Sequence, residues 1–185
     1  MKKILASIFL KFTGWKVTFQ ATPEMAHSVM VAAPHTSNWD FPLALAVFWY
    51  KGLNIKYFIK SNYTNGPFGW FFNWTGAIGV NRNKKQNRLT DFAIELMKER
   101  KKLVLLVPAE GSRKWVKKWR SGFYHIARAS GRPISLGYLD YGKKEAGVMD
   151  VFYPTGNFEK DMLYIQESYQ GIKARHPENY NPRIF

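Results

Sequence analysis

Cysteine is absent from the chain, which excludes disulfides, zinc–thiolate centres and thiol nucleophiles. Acidic residues are scarce as well: 13 Asp and Glu stand against 28 Lys and Arg, a net charge of +15. No apolar run approaches the ~20 residues that a membrane-spanning helix needs. The short apolar stretch near the N-terminus is followed by no small-residue cleavage site, so no secretory signal is expected. There is no Pro/Ser-rich linker, no internal repeat and no Gly-x-Ser-x-Gly nucleophile elbow. What is present is a chain of 185 residues that is 46% hydrophobic and 17% aromatic. That composition excludes disorder and suffices for the core of one domain.

The surplus of positive charge is concentrated. Residues 82–144 hold 17 Lys and Arg against five acids, so +12 of the +15 falls in about a third of the chain. Such a field attracts phosphate, whether on nucleic acid, an anionic membrane or a soluble cofactor. The alternative is a basic surface that serves solubility only.

Residues 1–20 carry four Lys and no acid, and Ile4, Ile8, Phe12, Trp15 and Phe19 fall on one helical face with Lys11 at its edge. This segment is read either as an interfacial helix lying on a membrane or as a helix packed on its own domain. Residues 21–185 are read as a single domain. A short apolar run, 29–33, predicts a buried strand that Pro34 ends, with His35 on the turn and Asp40 opening an apolar helix over 41–50. Pro42 suits the first turn of that helix, and Gly52 stops it. Strand 56–59 then delivers Lys60 to a loop. An aromatic turn of helix covers 70–74, and strand 76–80 runs into Asn81 and Arg82.

The clearest helix covers 84–102, with Leu89, Phe92, Ala93, Leu96 and Met97 at helical spacing and Arg100, Lys101 and Lys102 in its last turn. Strand 103–107 leads to Glu110, Gly111, Ser112 and Arg113. A basic, aromatic loop over 114–120 follows, then a helix over 122–130 that Ser121 is placed to cap. Strand 134–139, a hairpin turn at 140–144, strand 147–153 and a final helix over 161–174 complete the pattern. The alternation predicts an α/β fold: a mainly parallel sheet of about seven strands covered by helices on both faces. In such a sheet the C-terminal strand ends share one edge, so His35, Lys60, Arg82 and Glu110 converge there.

Four blocks, in order, resemble the glycerolipid acyltransferase family that includes the 1-acylglycerol-3-phosphate acyltransferases. The first is His35, Thr36, Ser37, Asn38, Trp39 and Asp40, matching His-x4-Asp. The second runs from Lys60 through Pro67 and Gly69 to Gly76, Ile78, Val80 and Arg82, similar to Lys, Pro-x-x-Gly and Gly-x-Ile-x-Val-x-Arg, with Pro67 and Gly69 one residue closer together. The third, Glu110, Gly111, Ser112 and Arg113, is similar to Glu-Gly-Thr-Arg. The fourth is Pro133 and Ile134. The chain departs from the pattern in placing Pro34 before the His and Pro108 one position early before the Glu. The resemblance implies a glycerol-3-phosphate acyltransferase-like fold and transfer of a fatty acyl group from a thioester to a hydroxyl of a lysophospholipid or related lipid.

These residue types suit that reaction. A neutral His removes a hydroxyl proton near pH 7, and an adjacent Asp fixes its tautomer and stabilises the imidazolium. This is the base-and-orienter half of a hydrolase triad, with the acceptor hydroxyl replacing the enzyme serine, so no covalent intermediate is expected. His35 is thus expected to be the general base and Asp40 its orienter, with Lys60, Arg82 and Arg113 binding an anionic group on the acceptor, most simply phosphate. By resemblance, Glu110, Gly111 and Ser112 shape the acceptor site, and a backbone N–H near Gly111 or Val80 serves the oxyanion. His27, His125 and His176 lack such company and are read as structural.

No metal and no tightly bound cofactor are expected; the acyl donor is acyl-CoA or acyl carrier protein. The partners are then the donor, a lipid acceptor and an anionic membrane surface, which places the protein at the cytoplasmic face, peripheral or monotopic. Two other classes compete: a basic nucleic-acid-binding module, suggested by the pI near 10.0, and a lipid hydrolase using the same His and Asp on water.

Overall fold

The computed structural model describes residues 1–81 and 86–185. Within them lies one seven-stranded sheet built from β1 (Lys16–Val17), β2 (His27–Ala33), β3 (Ile55–Lys60), β4 (Ala77–Val80), β5 (Leu103–Pro108), β6 (Ile134–Asp140) and β7 (Glu145–Phe152). The helices are α1 (Lys2–Thr13), α2 (Asp40–Lys51), α3 (Ser61–Thr64), α4 (Gly69–Thr75), α5 (Gln86–Glu99), α6 (Gly122–Ser130) and α7 (Phe158–Ser168). The strand order is β1-β7-β6-β2-β5-β3-β4. Strands β6, β2, β5, β3 and β4 are parallel; β7 pairs antiparallel with β6, and β1 runs parallel to β7. The sheet is therefore mainly parallel, as expected. β2 lies in its middle with β5 on one side and β6 on the other, and that adjacency decides what surrounds His35.

Both faces of the central strands are covered. Along β2, Val29, Val31 and Ala33 pack with α5, α6 and α7, while Met30 turns to the opposite face, where α1 and α2 lie. β5 divides in the same way, with Leu103 and Leu105 on one face and Val104 and Leu106 on the other. Strands buried on both sides have no polar face to alternate with, which is why these segments read as unbroken apolar runs.

Several boundaries differ from the sequence expectation, each for a local reason. α1 stops at Thr13 because Gly14 adopts a left-handed conformation (φ 74°) and caps it. The five-residue apolar face is thereby split: Ile4, Ile8 and Phe12 are exposed, whereas Trp15 and Phe19 lie beyond the helix in the core. Residues 16–17 form a short edge strand that the pattern did not announce. α5 ends at Glu99, so Arg100, Lys101 and Lys102 form the reversal into β5 instead of the last helical turn. Ser121 precedes α6 without a side-chain capping bond. The final helix occupies Phe158–Ser168, starting earlier because the Asn157 side chain accepts from Lys160 N–H, and ending well before 174.

α7 belongs to the core through Met162, Ile165 and the following Tyr169, all essentially solvent-free. Truncating Ile165 leaves a cavity under the sheet. We expect Ile165→Ala to lower the unfolding free energy by about 2–5 kcal/mol, read as a reduced urea midpoint with an unchanged m-value.

Candidate active site

The chain leaves the centre of the sheet at Ala33 and turns through residues 34–39 into α2. Asp40, the first residue of α2, is 4% exposed. Its carboxylate gathers donors from the turn. Oδ2 receives the Thr36 and Ser37 N–H groups, each at 2.8 Å, and faces His35 Nδ1 at 3.1 Å. Oδ1 receives the hydroxyl of Tyr141 at 2.7 Å. Burial alone would push this carboxyl up, but the hydrogen bonds from His35, Tyr141 and Ser37 outweigh it and hold Asp40 below its ordinary value. An ionised carboxylate only accepts, so His35 carries its proton on Nδ1 and leaves the Nε2 lone pair free. Among the described residues Nε2 has no hydrogen-bond partner.

Glu110 approaches from the other side. It follows β5, the neighbour of β2, and its Oε2 accepts the His35 backbone N–H at 2.7 Å. The residue is 3% exposed, and Oε1 has no partner among the described residues. Burial pushes its carboxyl up to about 8; the His35 N–H opposes this, and the nearby charge of Asp40 adds to it. Glu110 thus backs the histidine turn and stands apart from the cavity wall, where an acceptor-shaping side chain would be.

The other expected residues divide. His35, Asp40, Gly111, Ser112 and Arg113 line one cavity of about 1270 Å³. Its mouth is polar, and it continues past Met30, Phe48, Leu106 and Leu139 into the apolar interior. Arg113 donates to the Asn38 side chain, tying the β5 loop to the histidine turn. Lys60 ends β3 as an exposed residue and is not part of the cavity lining. Arg82 lies outside the described residues. Gly111 (φ 67°) supplies a turn whose own N–H is committed to the Pro108 carbonyl at 3.0 Å, so that group does not serve an oxyanion. A Cβ on Gly111 would meet the Arg120 guanidinium at 2.5 Å; glycine lets Arg120 lie over the loop and line the cavity.

Two residues were not singled out by sequence reasoning, Arg120 and Tyr141. Arg120 was hidden in a run of similar charges. Tyr141 follows a strand whose pairing with β2 no local pattern discloses. The remaining histidines have structural partners: His27 Nε2 meets the Met97 carbonyl, the His125 ring stacks on Phe158, and the His176 backbone N–H donates to Thr36 Oγ1. Among the described residues no group of three or more His, Asp or Glu is placed to hold a metal ion.

At the C-terminal edge of the α/β sheet, a partly buried His35 and a buried Asp40 thus stand beside a cavity with an apolar interior. The family model described as Acyltransferase matches residues 15–135, and the chain belongs to that family. Among solved structures it is similar to the 1-acyl-sn-glycerophosphate (LPA) acyltransferase PlsC from Thermotoga maritima, with a TM-score of 0.61 and 16% identity over 94% of this chain and 79% of that one. That likeness establishes a shared fold. No curated protein sequence matches the chain.

The raised Glu110 carboxyl has a consequence for stability. Between its ordinary value of 4.5 and about 8 the unfolded chain releases a proton that the folded chain keeps. The fold therefore loses stability as pH rises through that window. Glu110→Gln retains an acceptor for the His35 N–H and cannot ionise. We expect the urea midpoint of the parent to fall relative to that of the variant between pH 5 and pH 8; parallel midpoints would show that Glu110 is ionised across the range.

Proposed function

We propose that this acyltransferase moves a fatty acyl group from a thioester donor to a hydroxyl of an anionic lipid, with His35 as general base. The observation that carries the reading is the His35–Asp40 pair at the mouth of a cavity that is cationic outside and apolar within. Asp40 holds Nδ1–H, so Nε2 takes the proton of the acceptor hydroxyl as its oxygen attacks the thioester carbonyl. The tetrahedral intermediate then collapses, the carbon–sulfur bond breaks, and the imidazolium returns the proton to the departing thiolate. No enzyme-bound acyl group forms, because the attacking oxygen is the acceptor's own.

Arg113 and Arg120 line the cavity and are suited to an acceptor phosphate. The apolar interior suits the acyl chain. The basic excess over 82–144 suits either acyl-CoA or acyl carrier protein, since both donors are anionic.

A lipid substrate has to leave a bilayer to reach this cavity. Among the described residues no helix is long and apolar enough to cross a membrane. α1 instead buries Ala6 and Leu10 against the domain and exposes Ile4, Leu5, Ile8 and Phe12. α4 is joined to it through Lys2, whose ammonium donates to the Trp74 carbonyl at 2.7 Å and lies over the Trp49 and Trp74 rings. α4 exposes Trp70 and Phe71, while Phe72 and the neighbouring Tyr63 line the cavity. We read the two helices as one membrane-resting face that leads from lipid to the site.

Incubation with acyl-CoA and acyl carrier protein donors and a panel of hydroxylated lipid acceptors, with products identified by mass, tests the reaction. We expect an acylated acceptor from the parent and at least about 10³-fold less from His35→Ala, with unchanged circular dichroism. Free fatty acid as the product would assign the site to hydrolysis, and an active His35→Ala would remove the proposed base. For the membrane face, Phe12→Ala with Trp70→Ala removes two side chains that are 92% and 70% exposed. Sedimentation with vesicles containing phosphatidylglycerol should show binding weakened by about tenfold or more, from the apolar area withdrawn; unchanged sedimentation would place the contact elsewhere.

A further inference from the structure

Asp40 has a partner that the residues before it in the chain do not supply. Tyr141 lies just past the C-terminal end of β6, the strand that flanks β2 on the side opposite β5. It therefore reaches Asp40 from across the sheet edge, and its hydroxyl is the hydrogen-bond donor to Oδ1, the oxygen that the histidine turn leaves unused. Tyr141 falls outside the family-matched residues 15–135.

The tyrosine is itself held from several directions. Its ring meets the buried Trp15 edge-on, at 5.0 Å between centroids and 88° between planes. Its backbone N–H donates to the Lys173 carbonyl at 2.9 Å. The Arg175 guanidinium lies 5.8 Å from the rings of both Tyr141 and Trp39, the residue that precedes Asp40. The adjacent His176 N–H donates to Thr36 Oγ1 within the same turn. Residues 173–176 therefore close over the histidine turn, and Tyr141 is the side chain through which that closure reaches the carboxylate.

We propose that Tyr141 is a positioning residue for the His35–Asp40 pair: by holding Oδ1 it fixes the plane of the Asp40 carboxylate, and so the direction in which His35 presents Nε2. The proposal rests on His35 and Asp40 being base and orienter. Rotation about the Asp40 Cβ–Cγ bond would carry both oxygens away from their donors, so a donor on Oδ1 from a second strand adds to the hold that the turn has on Oδ2. Tyr141 remains a donor at all working pH values, since burial and its bond to Asp40 push its hydroxyl well above the ordinary tyrosine value. The hydroxyl also withdraws charge from Asp40. The titratable groups facing Asp40 are His35 from the turn, Glu110 from the end of β5 and Tyr141 from the end of β6, with Arg175 behind Tyr141.

The test is Tyr141→Phe, which keeps the ring between Trp15 and Arg175 and removes only the hydroxyl. We expect kcat to fall about 10- to 150-fold, the range for losing a hydrogen bond to a charged group, with the acceptor KM within twofold of the parent. Asp40, relieved of the donor, concentrates its charge on Oδ2, so the acid limb of the kcat/KM profile should move to higher pH. A fluorinated tyrosine at position 141 keeps the shape and strengthens the donor, and should move that limb to lower pH; it also serves if the Phe variant fails to fold. An unchanged kcat and unmoved acid limb in either protein would overturn the proposal. His35→Ala run beside them separates the two claims: if it is inactive while Tyr141→Phe matches the parent, only the role of Tyr141 fails, and if it is active, the reading of the pair fails with it.

Discussion

A buried carboxylate that must stay charged is the constraint around which this structure is arranged. Asp40 is almost sealed from water, and an ionised group there is costly unless every lone pair is answered. Here the answers come from two backbone N–H groups, an imidazole and a phenol. The same bonds that compensate its burial shape the turn, since Thr36 and Ser37 can both reach Oδ2 only if residues 34–39 fold back on the start of α2. Electrostatic satisfaction and the placement of the His35 ring are thus one requirement, and the turn has little freedom to meet it another way.

Two carboxyl groups flank His35, and their surroundings drive them apart. Asp40 sits in a ring of donors and is held below its ordinary value. Glu110 has one donor, an oxygen without a partner among the described residues and a buried setting, and is pushed up to about 8. Were both ionised, their repulsion would act across the histidine; with Glu110 neutral at pH 7, the negative charge is confined to the Nδ1 side of the ring. The contact of Asp40 with Nδ1 then places the proton there and leaves Nε2 free to accept one.

Much of this was legible in the chain, and the parts that were not share a cause. β2 and β5 declared themselves as apolar runs because both faces are covered. His35 and Asp40 were legible because their interaction spans five residues. The position of Glu110 after a strand was also readable, but the direction of its side chain was not: whether it faces the cavity or the back of His35 depends on β5 lying beside β2. Tyr141 depended in the same way on β6 taking the other side. Strand order is a tertiary property, carried by crossover packing over some hundred residues, so no local periodicity contains it. The end of α1 failed for a different reason. A helical stripe continued through Trp15 and Phe19, and only the left-handed Gly14 shows that the stripe belongs to two elements.

The two exposed apolar helices bear on how a lipid substrate, as proposed, would reach the polar sheet edge. α1 and α4 each have one face packed on the protein and one face bare, and the bare faces carry large aliphatic and aromatic side chains that a folded domain ordinarily covers. Lys2 is set between them against two indole rings, where burial and the nearby charge of Lys56 lower its pKa. An ammonium held in this way is a fixed link between the helices. On the cavity side of α4, Phe72 continues the apolar surface inward. The aromatic surface is therefore unbroken from the outside of α4 to the wall of the cavity, and on the proposed function a hydrocarbon chain following it would meet Arg113 and His35 at the end that bears the polar group. On the same proposal, regiochemistry follows from where the apolar path stops relative to His35, which Asp40 holds in place.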